Sequence, residues 1–311
     1  MITDRVVTAT VTQMINCESE ITVFCSESEV TELINKLRNE HMILFHLGNV
    51  NYKYYPFQGK SVLYPEYLYK KVEYDRLVSL LSERVRGIKA QIMRKNSELE
   101  KEFAIHDFLA KSIRYTDEGK DSHSIVGPLL YGKGVCDGIS KTAKVLFSEC
   151  GIECHLVNGT GINSQNGKPE PHAWNIVRIN GNYYHLDITY DNSFSENGIM
   201  YDFFNLSDAE ILKDHRISEP SRFYGIRCVR ENDYFVMNGI YFLSIEQLIG
   251  YCKKMLQAKQ NKLYFRVAPS VSEQRIKEAV TACLRELNCS MTYSISVNSV
   301  RNIFKWEIEY K

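Results

Sequence analysis

Net charge is the first thing missing from this 311-residue chain: 38 basic and 38 acidic residues cancel. Nothing therefore pulls the protein as a whole toward nucleic acid or an anionic membrane, and a substrate has to be recognised locally. No apolar run approaches the roughly 20 residues that span a bilayer. The opening Met1-Ile-Thr-Asp-Arg-Val-Val has no stretch long enough for a signal peptide. Cys-x-x-Cys is absent, and the closest pair, Cys150 and Cys154, has no matching Cys or His pair at zinc-finger spacing. Neither a structural zinc nor any other metal or cofactor is expected. The nine cysteines are odd in number and scattered, unlike the framework of a small disulfide-rich domain. Reduced thiols in a cytoplasm are the plain expectation, or export if a leader has been removed.

What is present is ordinary globular material, 44% hydrophobic and 24% charged, enough for a sizeable core. The length exceeds the roughly 100 to 200 residues of a typical domain, so two to three units are expected. The two ends read alike. Near the N-terminus, Val6 to Met14 and Ile21 to Cys25 alternate like strands. Ser26 to Glu29 then opens a helix with Val30, Leu33, Ile34 and Leu37 on one face, and strands follow over Met42–Tyr55 and Ser61–Val72. The C-terminal end repeats the order, with strand Leu263–Val267, helix Ser272–Leu287, and strands Ser290–Val297 and Ile303–Tyr310. The expected organisation is α+β: a strand-helix-strand-strand module over 1–73, a helical linker and core over 74–229, and a second such module over 230–311.

Tyr74 to Lys111 reads as long helical sequence broken at Gly87, its second part carrying Leu99, Phe103, His106 and Ala110 on one stripe. Its charges from Glu83 to Lys101 read as a solvated face, and the tyrosines between Asn51 and Tyr69 as a sheet surface or a groove. Glycines at 119, 127, 132, 134 and 138 then mark loops approaching a special turn. Cys136 follows them and begins a helix with Ile139, Ala143, Leu146, Phe147 and Cys150 on one face. At a helix N-terminus the unpaired N–H groups favour thiolate over thiol and can hold a developing oxyanion.

A nucleophilic thiolate needs a proton carrier, and the candidate is His172, at the head of the strand-like run His172-Ala-Trp-Asn-Ile-Val-Arg-Ile. A turn at Asn180-Gly181 leads into a second strand, Tyr183 to Tyr190. In such a hairpin His172, Trp174, Asp187 and Thr189 share one side, and Asp187 lies diagonal to His172. From there its carboxylate can accept one imidazole N–H and orient the ring toward sulfur.

Gly134-Val-Cys-Asp-Gly-Ile-Ser-Lys, His172-Ala-Trp-Asn-Ile-Val and Tyr184-His-Leu-Asp-Ile-Thr-Tyr-Asp resemble, in order, the three motifs of the bacterial transglutaminase-like superfamily. The resemblance extends to Ile105-His-Asp-Phe-Leu with Ile113-Arg-Tyr upstream, and to Phe204-Asn-Leu-Ser-Asp with Asp214-His215 downstream, covering roughly residues 98 to 216. It implies a papain-like core in which Cys136, His172 and Asp187 are nucleophile, base and orienting carboxylate. One departure is Ile139, where the family usually has an aromatic after Cys-Asp-Gly.

Several alternatives stay open. His185 is a strand residue or a substitute base, and Asp191 an alternative orienter. Trp174 covers the triad or binds substrate. His123, Tyr115 or Tyr131 completes the oxyanion site, with nothing selecting one, and Tyr131 is carried as a substrate-binding candidate. His106 reads as a helix residue and the remaining cysteines as core. The polar loop Asn163 to Pro171 reads as a mobile rim of the cleft. The superfamily implies attack of the thiolate on an acyl carbon, a thioester, and transfer to water or an amine. A peptidase or amidase acting on a protein or peptide is expected. A protein-glutamine transglutaminase and a non-catalytic binding scaffold are the rivals.

Overall fold

A computed structural model describes residues 2–162, 167–193, 198–219, 223, 225–287 and 289–311. By backbone packing the chain divides into two units, Met1–Asn158 with His172–Gly181, and Gly159–Pro171 with Asn182–Lys311.

The first unit opens with α1 (Asp4–Ile15), β1 (Ile21–Val23), α2 (Glu27–Glu40), β2 (Leu47–Tyr55) and β3 (Lys60–Tyr67). The three strands form an antiparallel sheet in the order β1-β3-β2. Ser26 caps α2 as its sequence foretells, with the Ser26 N–H and hydroxyl both donating to the Glu29 carboxylate at 2.9 Å. The stretch from Val6 to Met14 is α1 and not a strand. Its alternation hides a helical stripe, because Val7, Thr10 and Met14 are the buried positions. Val7 and Met14 enter one core with Ile21, Val30, Leu33, Leu37 and Leu63. Burial on the helical period overrides the local β-propensity of a Val/Thr-rich run. The strand expected from Met42 begins only at Leu47, since Met42–Leu44 is a 3-10 turn.

Two long helices follow, α3 (Lys71–Ile92) and α4 (Glu98–Ser112). Their break lies after Ile92 and not at Gly87. The buried stripe Leu81, Val85, Ile88, Ile92 runs straight past Gly87, and an exposed helical glycine costs only about 1 kcal/mol relative to alanine. A new helix starts where Ser97 can cap it, its hydroxyl accepting the Glu100 N–H at 3.1 Å. In α4 the buried face is Glu102, Ile105, His106, Leu109 and Ala110, rotated from the stripe expected through Leu99 and Phe103. The unit continues with a two-strand parallel pair, β4 (Arg114–Tyr115) and β5 (Lys133–Gly134), then α5 (Cys136–Glu149), β6 (Cys154–Ile162) and β7 (Pro169–Ile179). The last two strands each have part of their length in the second unit.

The second unit contains β8 (Asn182–Leu186), α6 (Ile188–Ser193), α7 (Asp208–Ile211) and β9 (His215–Ile217), the last antiparallel to Gly159–Gly161 of β6. Then come α8 (Tyr234–Met237), β10 (Tyr241–Phe242), α9 (Ile245–Gln257), β11 (Lys262–Val267), α10 (Glu273–Arg285), β12 (Met291–Asn298) and β13 (Ile303–Tyr310). The closing sheet has the order β10-β11-β13-β12. Leu248, Cys252 and Leu256 of α9 and Ile276, Val280 and Leu284 of α10 pack with Leu263, Phe265, Phe304 and Trp306. The run α9-β11-α10-β12-β13 has the same order of elements as α1-β1-α2-β2-β3. In both, the first strand lies antiparallel to the last, which also pairs with the middle one. The repeat read from the ends is thus a shared topology, with a leading helix at each end that the sequence pattern did not reveal. Among the described residues no helix is long and apolar enough to cross a membrane.

Candidate active site

Cys136 is the first residue of α5, half-buried, after an extended Val135. The glycines before and after it are there for close approach. A Cβ on Gly138 would sit 2.3 Å from the Ser122 carbonyl oxygen and 3.0 Å from that of Ser124. On Gly127 it would sit 2.6 Å from the carbonyl oxygens of both Asp121 and Lys133. The loop backbone therefore runs directly against the first turn of α5, where the Val135 N–H donates to the Ser122 carbonyl at 3.1 Å. That loop is anchored by the Ser122 hydroxyl on Asp117 at 2.8 Å and by the Tyr69 hydroxyl on the Asp121 carboxylate. Ile139, the departure from the family pattern, is fully buried, so the change is one of packing.

Ser140 lies one turn along the same helix face from Cys136. Its hydroxyl donates to the Ala173 carbonyl at 2.9 Å, and Asn175 Nδ2 donates back to the Ser140 carbonyl at 3.0 Å and to that of His155 at 3.3 Å. These bonds tie the face of α5 that begins with Cys136 to the residue following His172 on β7. His172 is buried and its ring lies nearly parallel to that of Trp174, 17° apart with centroids at 6.0 Å. Trp174 has no exposed surface. Asn180 and Gly181 follow β7 with φ of 52° and 88°, the two left-handed residues of a type I′ turn.

Of the oxyanion candidates, Tyr115 and Tyr131 are exposed, and Tyr131 borders a cavity of about 420 Å³ with Glu118, Ser122 and Lys133. His123 Nε2 bonds the Asp117 carboxylate at 2.9 Å on the surface, and His106, buried in α4, bonds Asp107 at 3.2 Å. A larger cavity of about 620 Å³ opens beside Asp137, the neighbour of Cys136, bounded by Arg38, His41, Lys120, His123 and Lys141. Burial lowers the pKa of His41, favouring its neutral ring.

In the second unit Asp187 is wholly buried between β8 and α6. Its Oδ1 accepts the Tyr190 N–H at 3.1 Å, which makes it the cap of α6. Its Oδ2 lies 3.1 Å from His215 Nε2. The strand expected through Tyr190 therefore stops at Leu186, and Thr189 and Asp191 are helical, so strand parity does not apply to them. Asp191 spends Oδ1 on the Phe203 N–H at 3.0 Å. His185 is buried with Nε2 3.0 Å from Asp208 Oδ1; burial lowers its pKa, opposed by Asp208.

His215 is the residue the sequence reading left without a role. It is fully buried, with Nδ1 2.6 Å from Asp214 Oδ1 as well as Nε2 on Asp187. Its only signal was the Asp214-His215 pair at the end of the family resemblance. His185, Asp208 and Cys228 bring three metal-ligating atoms within 4.8 Å of one another. The His185–Asp208 bond and the Cys228 N–H to Asp208 Oδ2 bond at 3.1 Å already account for that cluster. Six cysteines, Cys228 among them, are buried as expected, and burial pushes Cys154 and Cys252 up to about 12. Cys17 is only half-buried and Cys289 is exposed, so neither is a core thiol. Of the rim loop, residues 163–166 lie outside the described residues.

Residues 86–188 match the sequence model of the transglutaminase-like superfamily core. They form a transglutaminase-like domain. Solved structures similar to the chain include a TGase, 16% identical, with 58% of this chain and 53% of that chain covered and a TM-score of 0.32. A Cytophaga hutchinsonii protein provisionally assigned as a cysteine protease is 14% identical, over 45% and 61% of the two chains, with a TM-score of 0.30. An arylamine N-acetyltransferase from Bacillus cereus with a Cys-His-Glu triad is 16% identical, over 35% and 49%, with a TM-score of 0.25. The chain thus spans about half the length of the TGase it matches. No curated protein matches it.

Proposed function

We propose that this protein is a cysteine-dependent acyl-transfer enzyme of the peptidase or amidase type, with Cys136 as nucleophile, His172 as base and Asp187 as the carboxylate that orients His172. The observation that carries the reading is Cys136 at the start of α5, on the helix face that Ser140 ties to the strand of His172. In this reading His172 takes the thiol proton and the thiolate adds to an amide carbonyl, while N–H groups at the start of α5 stabilise the oxyanion. The amine departs with the proton from His172, leaving a thioester on Cys136. Water, deprotonated by His172, then attacks the thioester, releases the acid and restores the thiol. The role of Asp187 rests on the family motif.

The test is profiling of proteome peptides after incubation with wild-type and Cys136→Ala protein. New termini that appear only with the wild type support hydrolysis. A fluorescent amine incorporated into glutamine residues, absent in the Cys136→Ala control, reassigns the protein as a transglutaminase. Alkylation of Cys136 by iodoacetamide no faster than that of exposed Cys289 near neutral pH defeats the activated-thiolate reading.

A further inference from the structure

We propose that the C-terminal module positions the Asp187 carboxylate through a buried chain of alternating charge, Arg301–Asp214–His215–Asp187. The inference rests on the reading of Asp187 as the orienting carboxylate and gives it a mechanical support. Arg301, in the turn before β13, grips Asp214 with two parallel bonds, Nη1 to Oδ2 at 2.6 Å and Nη2 to Oδ1 at 2.8 Å. Its Nη2 also donates to the Glu210 carbonyl at 3.1 Å, and its guanidinium lies 4.2 Å from the Phe203 ring centroid. Asp214 passes the constraint to His215 Nδ1, and His215 Nε2 passes it to Asp187 Oδ2. Arg301, His215 and Asp187 are each 0 to 1% exposed.

The geometry points to a second ring proton on His215. Both ring nitrogens face carboxylate oxygens, and a neutral imidazole carries one N–H, so it could serve only one of them. Two donated bonds need the doubly protonated ring, and the alternative is a neutral ring that accepts from a protonated Asp187. With the second proton on His215 the chain reads plus, minus, plus, minus, and each buried charge has an opposite neighbour. Among the rings against it are Tyr190 and Phe203, with centroids at 4.9 and 5.9 Å. His185 is coupled to it electrostatically, and burial already keeps His185 toward its neutral form. Because Asp187 Oδ1 is held by the Tyr190 N–H and Oδ2 by His215, the carboxylate plane has no freedom to rotate. An orienting carboxylate needs that rigidity, since its task is to hold a ring at one angle.

The experiment follows the pH–rate profile of Cys136 carbamidomethylation by iodoacetamide, read site by site by mass spectrometry on the full chain. Asp187→Asn, His215→Phe, His215→Gln, Arg301→Met and Arg301→Lys are compared with wild type. Folding is checked by near-ultraviolet circular dichroism. Asp187→Asn is expected to move the acid limb up by about 1 pH unit or more, roughly tenfold in rate there. His215→Phe and Arg301→Met move it the same way, Arg301→Lys recovers most of the shift, and the Asp187→Asn/His215→Phe double variant adds little.

If Asp187→Asn shifts the limb while folded His215 and Arg301 variants leave it in place, the positioning role is overturned and the triad stands. If Asp187→Asn itself changes nothing, the triad reading and the positioning role fall together. Should both His215 variants fail to fold, nitrogen-15 spectra of wild-type histidine rings decide the charge chain. Two protonated nitrogens on one buried ring near neutral pH support it, and no such ring overturns it.

Discussion

Asp214 is the link of this chain whose energetic weight can be worked out. Burial raises its carboxyl pKa, but the two Arg301 bonds and the His215 bond outweigh that and hold it at about 2. Relative to the ordinary 3.8, the depression is worth about 2 to 3 kcal/mol of stability. The sign follows from the depressed folded value: the contribution is complete above the unfolded pKa and is lost as pH falls from there through about 2. Asp214→Asn removes the anion that Arg301 grips, and breaking a buried pair in this way costs about 3 to 5 kcal/mol near neutral pH. Urea titrations at about pH 7, 4 and 2.5, followed by Trp306 fluorescence in a Trp174→Phe background, measure both quantities. Trp306 sits in the core of the C-terminal sheet and reports on the second unit. The wild type should lose more stability than the Asn variant between about pH 4 and pH 2.5, by about 1 to 2 kcal/mol. Equal losses in the two proteins would refute the reasoning, because the acid sensitivity would then belong to other carboxylates.

Three further substitutions test the local architecture. Gly138→Ala puts a methyl 2.3 Å from a backbone carbonyl that has no rotamer to yield, so a loss of about 1 to 3 kcal/mol or more is expected; an unchanged melting temperature would contradict the loop packing. Gly181→Ala meets nothing within 4 Å but is held at φ of 88°, so its cost is conformational, about 1 to 2 kcal/mol by thermal melting. An effect as large as that of Gly138→Ala would show the turn to be crowded after all. Ser140→Ala strands the buried Ala173 carbonyl and should cost about 1 to 3 kcal/mol in denaturant unfolding while slowing Cys136 alkylation. Slowing without destabilisation would show that the bond serves only the site.

Much of this was legible in the chain because local pattern and tertiary burial agree there. The stripes of α2, α5 and α10 and the strands β12 and β13 appear where the sequence puts them. Val6 to Met14 misled because β-branched residues alternate locally while burial follows Val7, Thr10 and Met14. Gly87 misled because a glycine on an exposed helix face is tolerated when the opposite face packs. At the site the helix start was readable, while the strand of His172 begins at Pro169, inside the expected loop, and Gly127, Gly134 and Gly138 looked like flexible loop when each is a point of close contact. The bond from Arg301 to Asp214 spans 87 residues, and no periodicity encodes such a partner. His215 could be placed beside an acid from its neighbour Asp214, but its second acid, Asp187, lies 28 residues away.

The limit of strand parity at Asp187 carries a consequence of its own. The strand stops there because the same carboxylate that faces His215 also caps α6 through the Tyr190 N–H. Each oxygen is committed to a donor, so Asp187→Asn can keep only one of the two bonds with its remaining oxygen. If that oxygen stays on Tyr190, the new NH₂ group faces His215 Nε2, and two donors cannot meet. His215 escapes by releasing its Nε2 proton, accepting from the amide while Nδ1 continues to donate to Asp214. The fold then survives, and the price is the positive charge on the ring. Nitrogen-15 spectra of Asp187→Asn should therefore show one histidine passing from doubly to singly protonated near neutral pH. Retention of both ring protons in a folded Asn variant would mean that Asp187 is not what holds the second one.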